Sequence, residues 1–285
     1  IDAGLSMTVR APPGLAYDPV DVTVENQYGN STLPGTFDYY TILSTIAGGG
    51  SGEGFHSSQV QLGGAVFGAI SPATNDLYLS LYDLNRIVRI PPAGTIFLVA
   101  GTGEADSGVD GPAITTPIAG PRGLAFDTAG TLYFAEFEGH RIRKIVGGML
   151  VTIAGTGDAS STGDNGLAID AGLNGPAGLA FDTAGRLLVT ERGAHVVRRI
   201  DFDAGGIITR VAGTRTPGYS PNASVAVDAS INRPFGIVEW PAGSNGFVFA
   251  EHYNGVVRRV DADGGTSIIA GGGDAGFDAG MQADR

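Results

Sequence analysis

Short apolar segments, separated by glycine and aspartate, recur along most of this chain. GLAFD at 123–127 is apolar and short, which is typical of a strand buried in the middle of a β structure. LYFAE at 132–136 and RIRKI at 141–145 alternate between apolar and polar residues, as strands with two unlike faces do. Because turn residues bound these segments and helical periodicity is almost absent, the pattern predicts an all-β protein.

The apolar segments belong to an internal repeat. RGLAFDTAGTLYFAE at 122–136 returns as AGLAFDTAGRLLVTE at 177–191. A second phrase closes each unit, as RIVRI, RIRKI, VVRRI and VVRRV, and these end at Ile90, Ile145, Ile200 and Val260. Each unit contains four short predicted strands, and repeats of about 40–60 residues with four strands each are the signature of propeller blades.

One segment of the chain is similar enough to a known repeat to indicate its family. GDNGLAIDAGLNGPAGLAFDTAGRLLVTERGAHVVRRIDFDAGGIITRVAGT, at 163–214, resembles the bacterial NHL repeat almost throughout. NHL repeats form β-propellers, usually of six blades, so the resemblance implies a partial six-bladed ring over 42–285. The four full repeats lie at about 42–99, 100–153, 154–211 and 212–269, and a fifth begins at 270–285.

Residues 1–41 differ from the repeats. APPGLAYDPVDVTVENQYGNSTLPGTFDYY at 11–40 resembles the second half of an IPT/TIG immunoglobulin-like domain, which implies a partial Ig-like β-sandwich over 1–41. An isolated half-sandwich or blade leaves strand edges and apolar surface uncovered. We therefore expect the chain to be a segment of a longer polypeptide, or to be completed by a neighbouring copy.

The charge balance and the absence of cysteine exclude several functions. The chain has 17 basic and 29 acidic residues, a net charge of −12, which makes nucleic acid a poor partner. It has no cysteine, so disulfides, thiolate metal sites and a cysteine nucleophile are excluded. Its apolar runs are too short for a membrane span, so membrane insertion is not expected.

Paired acidic and basic residues recur between the second and third predicted strands. A glutamate ends the second strand and an arginine follows seven residues later, as Glu136 and Arg143, Glu191 and Arg198, and Glu251 and Arg258. In the first repeat both positions are apolar, Leu81 and Val88. Because a buried charge without its partner is costly, we interpret each pair as a structural salt bridge and not as part of a carboxylate ring for a ligand.

Histidine and aspartate are the candidate metal ligands. His140 and His195 share one slot of the repeat, as a structural feature would, whereas a catalytic site breaks repeat symmetry. We therefore assign no catalytic residue and expect no cofactor. Calcium stays an alternative at Asp158, Asp164 and Asp170, since it prefers several oxygen ligands on irregular backbone, although aspartate and glycine also form ordinary turns.

The fourth repeat departs most from the others. Its loops include TRTPGYSPNAS and EWPAGSNG, and loops on a rigid scaffold often carry function. The candidate binding residues there are Tyr219, Trp240, Phe247, His252 and Tyr253, with a packing role for some of them as the alternative.

These features together predict a secreted or cell-surface binding or scaffold protein and not an enzyme. The pairing of IPT/TIG and NHL modules resembles that of large bacterial surface proteins, so the expected partner is a protein, a glycan or further copies of the chain. The alternative is a metal-dependent propeller lyase or hydrolase. That function requires polar residues that break the repeat symmetry around the central channel, and the repeats offer no convincing set.

Overall fold

The structure is a computed structural model in which the chain divides into two units, residues 1–46 and 47–285. It describes residues 62–221 and 223–271 in full, and the backbone of three strands before them. Those strands are β1 (Ser6–Thr8), β2 (Val20–Asn26) and β3 (Gly29–Phe37), which form one antiparallel sheet in the order β1-β2-β3. The IPT/TIG assignment of this first unit stays a prediction.

The described residues of the second unit form four antiparallel sheets, which we number as blades 1 to 4. Blade 1 contains β4 (Ala65–Ile70), β5 (Leu77–Leu81), β6 (Arg86–Ile90) and β7 (Phe97–Ala100). Blade 2 contains β8 (Gly111–Pro112), β9 (Pro121–Phe126), β10 (Leu132–Glu136), β11 (Arg141–Val146) and β12 (Met149–Ala154). Blade 3 contains β13 (Gly166–Leu167), β14 (Pro176–Phe181), β15 (Leu187–Glu191), β16 (Val196–Asp201) and β17 (Ile207–Ala212). Blade 4 contains β18 (Pro234–Glu239), β19 (Phe247–Glu251), β20 (Val256–Val260) and β21 (Thr266–Ala270).

The strands of each blade pair in chain order, from an inner strand to an outer one. The inner strands β4, β9, β14 and β18 pack against one another in succession. In blades 2 and 3 a two-residue strand from the preceding connection, β8 or β13, is added at the outer edge. Helical structure in the described residues is limited to three-residue 3-10 turns at Tyr82–Leu84, Ala168–Asp170 and Ala226–Asp228.

Three of the four hydrophobic clusters lie between neighbouring blades, and the fourth lies on blade 1 alone. Leu132 and Phe134 of β10 pack in a cluster with residues of blade 1, while Tyr133 and Ala135 pack in a cluster with residues of blade 3. All five residues of β10 are therefore buried, although the sequence pattern predicts an alternation. The alternation fails because both faces of the sheet are covered by a neighbouring blade.

Glycine allows adjacent inner strands to approach closely. A Cβ added at Gly123 would lie 2.3 Å from the carbonyl oxygen of Ala177, on the next inner strand. A Cβ at the equivalent Gly178 would lie 2.2 Å from the carbonyl oxygen of Phe235. Both distances are far below van der Waals contact, so only glycine fits these positions.

The prediction of an all-β propeller is confirmed, with four blades in the described residues. The NHL type and the six-bladed ring stay predictions. Within the described residues, no helix is both long and apolar enough to span a membrane.

Candidate functional site

The predicted glutamate–arginine pairs lie inside blades 2, 3 and 4. The Glu136 Oε1 atom lies 3.5 Å from Arg143 Nη1, and the Glu191 Oε1 atom lies 3.1 Å from Arg198 Nη1. Glu251 Oε1 pairs with Arg258 through Nε instead of Nη1. All six side chains are fully buried, so these charges belong to the interior of the blades and not to an accessible surface.

Each pair also holds the segment that leads into the inner strand of its own blade. The Asn174 backbone N–H donates to Glu191 Oε2 at 2.9 Å, while Arg198 donates to the Gly172 and Thr162 carbonyl oxygens at 3.0 and 2.9 Å. Burial raises the pKa of Glu191, and the Arg198 guanidinium opposes that rise. In blade 1 the corresponding Leu81 and Val88 are buried in an apolar cluster instead.

Two of the histidines connect neighbouring blades. His140 Nδ1 accepts a hydrogen bond from the Gly175 N–H at 3.1 Å, and His195 Nδ1 accepts one from the Arg233 N–H at 3.1 Å. In blade 1 the Asn85 side-chain oxygen accepts from the Gly120 N–H at 2.9 Å. We call this contact the inter-blade latch.

The latch requires an uncharged imidazole, because a protonated Nδ1 cannot accept a hydrogen bond. Burial lowers the pKa of His195, and the nearby Arg233 and Arg192 lower it further. Burial likewise lowers the pKa of His140. The shared histidine slot therefore serves the packing of consecutive blades.

The three candidate calcium ligands do not converge. Asp164 lies 2.9 Å from Arg198 Nε and also pairs with Arg215, while the Asp158 carboxylate accepts from the Thr156 hydroxyl at 3.2 Å. Asp170 lies in a 3-10 turn. Over 62–221 and 223–271, no group of three or more histidine, aspartate or glutamate side chains is arranged to hold a metal ion.

The candidate binding residues of blade 4 do not converge on one site, although His252 and Tyr253 lie together with ring centres 5.3 Å apart. Tyr253 and Trp240 are 58% and 43% exposed, but Tyr253 follows β19 and Trp240 follows β18, which places them at opposite ends of the blade. Tyr219 lies beside β21, where it lines an open cavity of about 800 Å³. The prediction of Phe247 as a binding residue is wrong. Phe247 is the first residue of β19 and is 3% exposed, in the core between blades 3 and 4.

The structure reveals a cluster of arginine and aromatic residues, and of these only His252 and Tyr253 are predicted from the sequence as candidates. It lies at the end of the propeller where the inner strands begin, which we call the upper face. Arg122 Cζ lies 3.9 Å from the ring centre of Phe137 and 4.6 Å from that of Tyr82. On the other side of the cluster, Arg233 Cζ lies 4.3 Å from the ring centre of Tyr253, and Arg192 Cζ lies 5.9 Å from it.

Two phenylalanines form the centre of this cluster. Phe67 on the inner strand of blade 1 and Phe235 on the inner strand of blade 4 have ring centres 5.0 Å apart. Arg122 Cζ lies 5.4 Å from the ring centre of Phe235. The cluster thus draws on all four blades.

The arginines of the upper face have no acidic partners among the residues that the structure describes. Within the described residues, none of Arg122, Arg192 and Arg233 forms a salt bridge. The nearby Glu138 carboxylate accepts a hydrogen bond from the hydroxyl of Tyr82. The buried Nε atoms of Arg122 and Arg192 lack a hydrogen-bond partner. Burial lowers the pKa of Arg192, and the charges of Arg233 and Arg122 lower it further.

Comparison with known proteins supports the propeller fold but does not identify an activity. No family model matches the chain. A segment of 109 residues is 35% identical to mouse teneurin-3, and a segment of 87 residues is 36% identical to the chloroplastic protein SUPPRESSOR OF QUENCHING 1 of Arabidopsis thaliana. The segments cover 33% and 30% of this chain but only 4% and 8% of those proteins. The chain thus matches less than a tenth of each of these curated relatives.

Solved propellers resemble most of the chain at low identity. A protein described as a gluconolactonase is 14% identical with a TM-score of 0.51, over 78% of this chain and 68% of that one. A virginiamycin B lyase from Staphylococcus aureus is 16% identical with a TM-score of 0.48, over 89% of this chain and 64% of that one. At such identities the likeness concerns the propeller fold alone.

Proposed function

We propose that this chain is a binding module and not an enzyme, and that its ligand contacts lie on the upper face. The observation that carries the proposal is the set of three arginines, Arg122, Arg192 and Arg233, which come from three blades and have no salt-bridge partner in the described residues. Charged groups that are not used inside a fold and that meet at the mouth of a scaffold are available for recognition.

The glutamates and histidines that recur in the repeats, which acid–base chemistry could use, are engaged in structural contacts. The fully buried Glu191 is paired with Arg198, and His195 Nδ1 accepts a hydrogen bond from the next blade. Each of these contacts recurs in other blades, as structural contacts in a repeat do. This supports recognition over catalysis at the upper face.

We also propose that the module belongs to a larger secreted or cell-surface protein. The NHL resemblance of 163–214 supports a ring with further blades, and the IPT/TIG resemblance of 11–40 supports an immunoglobulin-like neighbour. Modules of these two types side by side support a secreted or cell-surface protein that binds a protein, a glycan or copies of itself.

Protein and glycan arrays test the proposal when probed with three purified proteins. These are the wild type, the double variant Arg192→Gln/Arg233→Gln, and the control Arg259→Gln, whose arginine lies on β20 and pairs with Asp261. We expect ligands that the wild type and the control retain and the double variant loses. Array ligands that the double variant retains would contradict an upper-face site.

The enzyme alternative has its own assay. The wild type is incubated with a panel of lactones and esters, with and without added Zn²⁺, Mn²⁺ and Ca²⁺, and product is followed by mass spectrometry. Metal-dependent turnover that scales with protein concentration would overturn the binding proposal. We expect none above the rate with denatured protein.

A further inference from the structure

The aromatic rings of the upper face hold the arginine side chains in place. Stacking on a ring uses the flat face of a guanidinium and leaves its N–H edges available for a planar anion. Arg122 stacks on Phe137 at 3.9 Å, and Arg233 stacks on Tyr253 at 4.3 Å. The arginines are therefore ordered before any ligand arrives, so less side-chain entropy is lost on binding.

The backbone at Arg233 is an independent sign of function. The residue before the inner strand has a left-handed backbone in every blade, and in blades 1 to 3 it is glycine, with φ of 58° at Gly64, 58° at Gly120 and 59° at Gly175. In blade 4 this position is Arg233, with φ of 50°. An arginine costs free energy at a position where glycine fits without strain, and such strain is retained mainly at functional sites.

The three arginines of the cluster outnumber Glu138, the acidic residue beside them, so the cluster is locally basic. The chain carries a net charge of −12, yet three arginines gather on this face. A ligand carboxylate would neutralise them, and a planar carboxylate matches the paired N–H groups of a guanidinium. A long polyanion such as nucleic acid would also meet the acidic remainder of the chain, and its binding depends on many phosphate contacts.

The composition of the cluster favours a protein as the ligand. Arginine and tyrosine are enriched where protein interfaces gain most of their binding free energy. Tyr253 is 58% exposed, so the cluster is open on this side and accessible to a macromolecule. We propose that the upper face binds an acidic segment of a partner protein, with aspartate or glutamate carboxylates on Arg122, Arg192 and Arg233.

This inference rests on the proposed function, because it names the ligand class of the same face. The probe is a fluorescein-labelled hexaglutamate peptide, and its binding is followed by fluorescence anisotropy at about 50 and 150 mM NaCl. We expect saturable binding that weakens with salt, and no binding of a hexaglutamine peptide. Equal binding of both peptides would overturn the inference, as would a preference for oligogalacturonate or polyphosphate over hexaglutamate.

Two variants locate the binding site on the face. Arg233→Gly restores the residue of the other blades, so it folds normally while losing one guanidinium, and Arg192→Lys keeps the charge without the planar fork. We expect each to weaken hexaglutamate binding by about tenfold, the loss of one charge-assisted contact. Arg259→Gln removes one charge elsewhere and is expected to bind like the wild type. Unchanged affinity in both upper-face variants would overturn the inference.

The two proposals fail separately. If the arrays yield a neutral ligand that requires Arg192 and Arg233, the binding function stands and the acidic peptide is wrong. If the wild type binds nothing on the arrays and hexaglutamate does not bind, both proposals fail.

Discussion

The close approach of the inner strands makes Gly178→Ala the sharpest perturbation of this fold. The added Cβ would lie 2.2 Å from the Phe235 carbonyl oxygen, whereas ordinary van der Waals contact begins near 3.4 Å. The obstacle is backbone, so blades 3 and 4 must separate locally by about 1 Å. Overpacking of this kind costs about 1–3 kcal/mol, and a rigid obstacle favours the upper end of that range.

The chain contains its own control for this substitution. Gly236 occupies the equivalent position in blade 4, and a Cβ added there would have no atom of the described residues within 4 Å. Neither glycine has a left-handed backbone, so alanine introduces no φ strain at either position. Gly236→Ala is therefore expected to be neutral or to stabilise by about 0.4–1 kcal/mol, through the lower entropy of the unfolded chain.

Thermal unfolding followed by circular dichroism measures the difference. A loss of about 3 kcal/mol lowers the Tm of a domain of this size by roughly 6–12 °C, since each kcal/mol shifts it by about 2–4 °C. Hydrogen exchange is expected to show reduced protection in β14 and β18 of Gly178→Ala but not in blade 1. Equal Tm values for Gly178→Ala and Gly236→Ala would refute the close-packing argument.

Three further variants test the contacts within and between blades. Because the pKa of His195 is lowered in the folded state, its latch contributes fully above about pH 6.5 and is lost as the pH falls below that value. The double variant His140→Asn/His195→Asn keeps an acceptor, as Asn85 does, so its Tm between pH 5 and 8 is expected to vary less than that of the wild type. Glu191→Gln leaves the buried Arg198 without its buried partner and is expected to cost about 3 kcal/mol in denaturant titration. Thr190→Val removes a hydroxyl that accepts from the Gly178 N–H and donates to the Phe235 carbonyl, both at 2.7 Å, and is expected to cost about 1–3 kcal/mol in the same assay.

Repeat comparison predicts the architecture of this chain well, because equivalent positions occupy equivalent environments. The joint replacement of acid and base by Leu81 and Val88 indicates a contact between Glu and Arg in the other repeats, and the structure contains that contact at Glu191 and Arg198. The same comparison indicates a structural histidine slot, although it does not show that the slot bridges two blades. That bridge depends on how consecutive blades pack, which no single repeat contains.

The upper-face arginines could not be found by comparing the repeats position by position. Arg122 is the second residue of an inner strand, Arg192 follows a second strand, and Arg233 precedes an inner strand. Each is therefore an isolated deviation, aligned with Ala177, Phe137 and Gly175 in blades 2 and 3. Only the three-dimensional arrangement shows that these three deviations meet at one end of the propeller.

Phe247 shows the complementary error. The glycine- and serine-rich segment before it indicates a loop, and an aromatic residue at the end of a loop resembles a binding residue. In the structure the strand starts at that residue, and its ring packs 6.1 Å from that of Phe249. Composition locates a loop to within a few residues, and one residue decides whether an aromatic ring faces solvent or the core.

The latch and the upper face are connected through Arg233. Its backbone N–H donates to His195 Nδ1, and its side chain stacks on Tyr253, so one residue belongs both to the packing of blades 3 and 4 and to the proposed site. Since burial lowers the pKa of His195, its protonation takes place at a pH below the ordinary histidine value of about 6.5, and it would release the backbone that positions this guanidinium. Hexaglutamate binding is therefore expected to weaken as His195 becomes protonated in the wild type and to persist in His195→Asn. If both proteins lose binding in parallel, the latch does not position the site, and the acid sensitivity belongs to the peptide carboxylates.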